Sequence, residues 1–391
     1  MRWTEHIKDG TKLFPYPKAV SIGDKIYCFG KNYFHRAYTD PIWVHVLNTS
    51  TLRWSLIKFK TKKNDKQRIK PCNIICESSQ QTAVAYGDKV YIWCCTLGET
   101  TYNSFELLKM IFCFDIKTLE WSTPTVTGIQ PNDKYEHSAC IIKNKMYIFG
   151  GIIIENSPNK YSQDVHSLDL DTMQWRFINV HGTPPSPRAY HTAISYLDRM
   201  YIFGGIRTLN NVNNLYDYKE KIYCSQVYYL DTTSETWVTT NPIGTWPESR
   251  EKHSAWLYND YMYIFGGRNT NTVTYFNDLY RYSMKGNFWE CLNVHGVGPF
   301  SRHQPTCSVY KDKIYLFGGV SSFNEDLVRY KASDIHVLDY APTLKTLCII
   351  CVLEHNLDQS SLPHDIILDI RIMSSPKRIP GPNNNSRIIM V

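Results

Sequence analysis

The chain has 391 residues, 14% of them aromatic and only 20% charged, a balance that excludes a disordered polymer and can bury a large core. Its net charge of +7 is local: Lys58 to Lys70 holds seven bases and one acid, so the remainder is near neutral and no direct nucleic-acid footprint is expected. The longest apolar run, Leu347 to Leu353, is seven residues, against the roughly 20 of a membrane helix. Met1 to His6 carries no apolar signal core, so an intracellular protein with reduced cysteines is expected.

One pattern recurs along the chain. Lys25-Ile26-Tyr27-Cys28-Phe29-Gly30 opens it, with Lys31 where a second glycine would stand. Lys89-Val90-Tyr91-Ile92-Trp93-Cys94-Cys95 follows as a degraded copy. Intact copies end in Tyr147-Ile148-Phe149-Gly150-Gly151, Tyr201-Ile202-Phe203-Gly204-Gly205, Tyr263-Ile264-Phe265-Gly266-Gly267 and Tyr315-Leu316-Phe317-Gly318-Gly319. The copies start 52 to 64 residues apart. Before each comes an apolar run, opened in three units by His137, His191 or His253; after it comes a strand-like run and then a lone Trp. Each unit reads as four short β-runs between turn residues.

Four strands per unit and six units predict a β-propeller over residues 1–340. The Tyr-x-Phe-Gly-Gly strand with its later Trp resembles the kelch repeat. The sixth unit has no Trp of its own, and Trp3 precedes the first unit unexplained, so the N-terminal segment is expected to close the last blade. Arg188, Arg250, Arg302 and the three histidines recur in register and read as a hydrogen-bonding frame between blades.

From Pro342 the rhythm changes. Pro342 suits a helix start, and Leu344, Cys348 and Val352 fall on one helical stripe. Leu362-Pro363-His364-Asp365-Ile366-Ile367 suits a second helical turn. A helical segment over 341–373 is too small to bury its own apolar face, so it packs on the propeller or on a partner. Residues 374–391, rich in Pro, Asn and Ser, are expected to be disordered.

Thr343-Leu344-x-x-x-Cys348-x-x-x-Val352 resembles the elongin-binding box of cullin-RING substrate receptors. Leu362-Pro363-x-x-Ile366-Ile367 is similar to the cullin-2-selecting box. Together, behind a kelch propeller, they resemble the kelch receptors for C-terminal degrons. The resemblance implies a non-catalytic adaptor, cytoplasmic and nuclear, that binds elongin B/C and cullin-2. It implies a pocket that grips the free C-terminal carboxylate of client proteins, often on glycine. Such a pocket needs cationic forks and walls. The loops after the double glycines and before the histidines offer Arg207, Arg268, Lys252 and Lys31 as carboxylate partners, with Tyr135 and Tyr190 as walls. Glu251 stands beside Lys252 and opposes a carboxylate, which leaves glycine-end selectivity open.

Two other readings stand beside this one. A kelch scaffold for cytoskeletal or chromatin partners would pack the C-terminal helices on blade six. A metal-dependent propeller enzyme would need unequal, clustered histidines, whereas these occupy equivalent positions, and no cofactor motif is present.

Overall fold

The computed structural model describes residues 1–6, 17–30, 43–57, 81–99, 105–154, 160–208, 221–323, 328–332 and 334–374. The basic segment Lys58 to Lys70, Lys31 and residues 375–391 lie outside these. Six sheets of four or five strands form the body, and the described helices are α1, Leu344–Glu354, and α2, His364–Ser374. In blades 3 to 5 the innermost strands are Ser138–Ile142, Thr192–Tyr196 and Ser254–Tyr258. Each of these touches the innermost strand of the next blade, and Lys18–Ile22 of blade 1 touches Thr306–Tyr310 of blade 6. The ring is therefore closed.

The repeat is explained by what meets at each blade boundary. The aromatic residue of the Tyr-x-Phe strand packs on the tryptophan of the following blade. Phe29 meets Trp121, Trp93 meets Trp175, Phe149 meets Trp237 and Phe203 meets Trp289. Phe265 meets Trp3 and Phe317 meets Trp54. These ring centroids lie between 5.1 and 6.2 Å apart. Trp3 reaches its place because Arg2–His6 pairs antiparallel with Ile335–Asp339. It stands opposite Leu338, as Trp175 stands opposite Leu168 and Trp237 opposite Leu230.

The double glycine is also a boundary device. At Gly204, with φ +72°, a Cβ would come within 2.6 Å of the His253 ring and 2.8 Å of the Arg250 carbonyl. Only glycine admits both that φ and that approach. The next N–H, of Gly205, donates to the Arg250 carbonyl at 2.9 Å. The same bond runs from Gly151 to Arg188 and from Gly267 to Arg302. His137 shares a hydrogen bond with Thr82, His191 with Ser138 and His253 with Thr192, each in the preceding blade.

Beyond Asp339 the chain leaves blade 6 and turns into α1. Its cap is Thr343, whose hydroxyl accepts from the Thr346 N–H at 3.1 Å; Pro342 lies one residue outside. Ile349 and Ile350 are buried and line a groove with Leu52, Tyr315 and Val337 of blades 1 and 6. α2 packs on α1, with Ile370 buried and Lys345 paired to Asp369 at 2.7 Å.

Candidate binding face

Two parts of the molecule carry residues singled out by the sequence. The first is the rim where each blade enters its innermost strand. Glu136, Tyr190, Lys252 and Gln304 occupy equivalent places there, and all four have φ between +53° and +60°. Non-glycine residues in this region are strained by about 1 kcal/mol or more each, and strain of this kind clusters at functional sites. A backbone ladder links them. The Tyr190 N–H donates to the Glu136 carbonyl, Lys252 to Tyr190 and Gln304 to Lys252, at 3.2, 3.0 and 2.7 Å.

The rim brings charges of both signs into a half-dry setting. The Lys252 ammonium lies 4.4 Å from the centroid of the Tyr190 ring. Burial holds it below the ordinary lysine value, with Glu136 and Glu251 opposing the shift. Burial raises the Glu136 carboxyl, with Lys252 and Lys18 opposing. Burial also raises the Tyr190 hydroxyl, helped by Glu136 and Glu251. Glu251 is itself buried and accepts from Arg268 Nε at 2.8 Å. Tyr135 and Tyr190 pack on a small apolar cluster of Ile152, Tyr161, Ala189, Ile206 and Tyr223.

Lys252, Tyr190, Tyr135 and Arg268 thus share one neighbourhood. Arg268 is committed there to Glu251, a pairing visible in the sequence only as an adverse charge. Arg207 is placed elsewhere. Its hairpin, Ile206–Thr208 with Lys221–Tyr223, turns Ile206 into the apolar cluster, while Arg207 lines a cleft with Ser186, Arg188, Gln226 and Tyr228 that meets the cluster at Tyr223. Lys31 falls outside the described residues. Sequence reasoning passed over Tyr161 and Tyr223. Each pairs with the residue that follows a double glycine, Ile152 and Ile206, so a tyrosine at the end of each return strand was the available signal.

The second part is α1. Leu344 is 77% exposed, Leu347 43%, and Cys348 and Cys351 are exposed, while Val352 is half-buried. Helical spacing puts Ile349 and Ile350 against the propeller and the Leu344 stripe away from it. Leu362, Ile366 and Ile367 are half-buried at the start of α2, and Pro363 is exposed, its carbonyl accepting from the Ile367 N–H at 3.0 Å.

A closed ring of blades joined through aromatic, glycine and histidine contacts, with a charged rim, defines a kelch β-propeller protein-binding scaffold. The chain matches the KLHDC2/KLHL20/DRC7 Kelch-repeats domain over residues 80–319 and 216–347, and it belongs to the kelch-repeat family, whose propellers are generally non-catalytic binding domains. It is 35% identical over 393 residues to "Kelch domain-containing protein 3" of Bos taurus, covering 98% of both chains. It is likewise 35% identical over 392 residues to the Homo sapiens protein of that name, again covering 98% of both. The solved "Structure of YjhT" superposes with a TM-score of 0.55 at 14% identity, covering 82% of this chain and 94% of that one, a likeness of fold.

Proposed function

We propose that this propeller is the substrate-recognition subunit of a cullin-2 and elongin B/C ubiquitin ligase, holding client proteins by their C-terminal tails. The observation that carries the proposal is the division of α1. Ile349 and Ile350 fasten the helix to the ring, while Leu344 and Cys348 of the Leu344–Cys348–Val352 stripe, which resembles an elongin-binding box, are exposed and Val352 is half-buried. An apolar stripe on a helix that is already anchored is suited to seating a leucine in another polypeptide. The Leu362, Pro363, Ile366 and Ile367 segment beside it is the proposed cullin-2 contact.

At the other end, Lys252 supplies a partly desolvated cation and Tyr190 and Tyr135 supply walls, the chemistry a chain-terminal carboxylate needs. Arg268 contributes through whatever donors its pairing with Glu251 leaves available. In this reading the propeller performs no covalent step. It tethers a client lysine near the ubiquitin-charged enzyme at high effective concentration, and the attached ligase does the transfer.

Co-purification with elongin B/C tests the reading. Leu344→Asp is expected to abolish the complex while leaving the melting temperature unchanged, because the side chain is exposed. Undiminished capture would remove the ligase assignment. An array of free-acid and C-amidated peptides tests the rim: binding by the free acids alone supports it, and equal binding of both forms counts against it.

A further inference from the structure

Thiols are among the most buried of side chains, so exposed ones are informative. Among the described residues three cysteines are exposed, Cys291, Cys348 and Cys351, and two of these lie one turn apart on α1. His355, the C-cap residue of that helix, is exposed as well. At about 3.6 residues per turn, Cys348, Cys351 and His355 fall within roughly 60° of arc. That arc is centred opposite Ile349 and Ile350, which hold α1 on the propeller, so the three side chains stand on the outer face together with Leu344.

Two of the three donors already stand at ligand spacing. Cys351 Sγ lies 3.7 Å from His355 Nδ1. A tetrahedral zinc ion, with about 2.3 Å to sulfur and about 2.1 Å to nitrogen, holds such a pair about 3.6 Å apart. The third donor, Cys348, stands one turn before Cys351, and Cβ atoms at that spacing are about 5–6 Å apart. The roughly 3.8 Å between two zinc-bound sulfurs is then reached by rotating exposed side chains, with the helix unmoved. His355 Nδ1 also lies 3.1 Å from the Cys351 carbonyl, a contact the ring gives up on taking a metal.

We propose that Cys348, Cys351 and His355 form a binding site for a thiophilic divalent ion of the zinc class on the outer face of α1. Thiolate and imidazole donors favour such an ion over magnesium or calcium, which take oxygen ligands. Binding forms two metal–sulfur bonds and one metal–nitrogen bond. Both thiol protons pass to the buffer, water keeps the fourth position, and sulfur is neither oxidised nor reduced. Under the ligase reading Cys348 also belongs to the stripe that seats in elongin, so metal and elongin B/C compete for it. That competition rests on the ligase reading; the metal site does not.

The full chain, reduced and freed of metal, is titrated with zinc against a chromophoric chelator, and with cadmium through its thiolate charge-transfer absorption. Cysteines elsewhere in the chain set a background, so the native sequence is compared with Cys351→Ser and His355→Ala. Both side chains are exposed, so both variants are expected to melt as the native chain does. At matched free zinc each variant is expected to bind one equivalent fewer, and Cys351→Ser to lose part of the cadmium absorption. Equal zinc uptake by the native chain and by either variant overturns the site. Elongin B/C capture is expected to fall as zinc fills the native chain and to be unaffected by zinc in Cys351→Ser. Zinc uptake with undiminished capture overturns the competition. Failure of the metal-free native chain to capture elongin B/C counts against the ligase reading and leaves the metal site to the titration.

Discussion

Lys252 of blade 5 reaches back over Tyr190 of blade 4, its ammonium 4.4 Å from the ring centroid and its N–H bonded to the Tyr190 carbonyl at 3.0 Å. Two bonds of different kinds therefore fix one cation at the rim, and burial favours its neutral form. A carboxylate ligand needs the charged form. Affinity for a free-acid peptide is expected to fall as pH rises through a value below the ordinary 10.5, earlier than an exposed lysine would dictate. Lys252→Met is expected to weaken such a peptide about tenfold or more, equivalent to losing about 1.4 kcal/mol, and isothermal titration at several pH values reads both effects.

Glu251 predicts the opposite sign. It holds Arg268 at 2.8 Å and places a second buried carboxylate near the rim. Glu251→Gln keeps the shape, removes the negative charge and releases Arg268. Free-acid peptides are expected to bind more tightly and amidated ones to be little affected. Weaker free-acid binding would mean that Glu251 serves the site by orienting Arg268.

The two faces of α1 are expected to separate stability from assembly. Ile349 is 4% exposed, so Ile349→Ala removes packing against the propeller and should destabilise by about 2–5 kcal/mol where the helix is part of the cooperative unit. Leu344→Ala removes almost no buried area and should leave urea unfolding unchanged. Loss of elongin B/C capture by Leu344→Ala, with unchanged unfolding, is the expected pair of results.

Acid should loosen the ring. Burial pulls the His253 imidazole down to about 3 from 6.5, and His137 and His191 move the same way. Between those values the unfolded chain binds a proton that the folded chain refuses. Stability is then complete above pH 6.5 and declines toward pH 3, by up to about 1.4 kcal/mol per pH unit for each such histidine. His253→Gln is expected to flatten the dependence of unfolding free energy on pH between 6 and 4. An unchanged slope would place the acid sensitivity in other groups.

Much of the propeller was legible because its period is written in side chains that touch. The Tyr-x-Phe strand and the later Trp are the two halves of one contact, Phe149 with Trp237 or Phe203 with Trp289, so their recurrence encodes a boundary between blades. The glycine pair recurs because the neighbouring carbonyl and histidine leave no room for a Cβ. The rim was less legible. Tyr190 and Lys252 could be placed at a mouth by their position before a histidine, but the partners of Arg268 and Arg207 depend on which face of a two-residue hairpin points inward. That alternation puts Arg268 against Glu251 and sends Arg207 into the blade 4 cleft.

Trp3 has a bearing on how the chain is made. The Thr4 hydroxyl donates to the Val337 carbonyl across 333 positions of sequence, so this strand leaves the ribosome long before its neighbour exists. Five blades can collapse in order of synthesis, but the ring stays an arc with one bare flank until Ile335–Asp339 emerges. During that interval the aromatic side of blade 5 that will receive Trp3, around Phe265, is open to solvent and to chaperones.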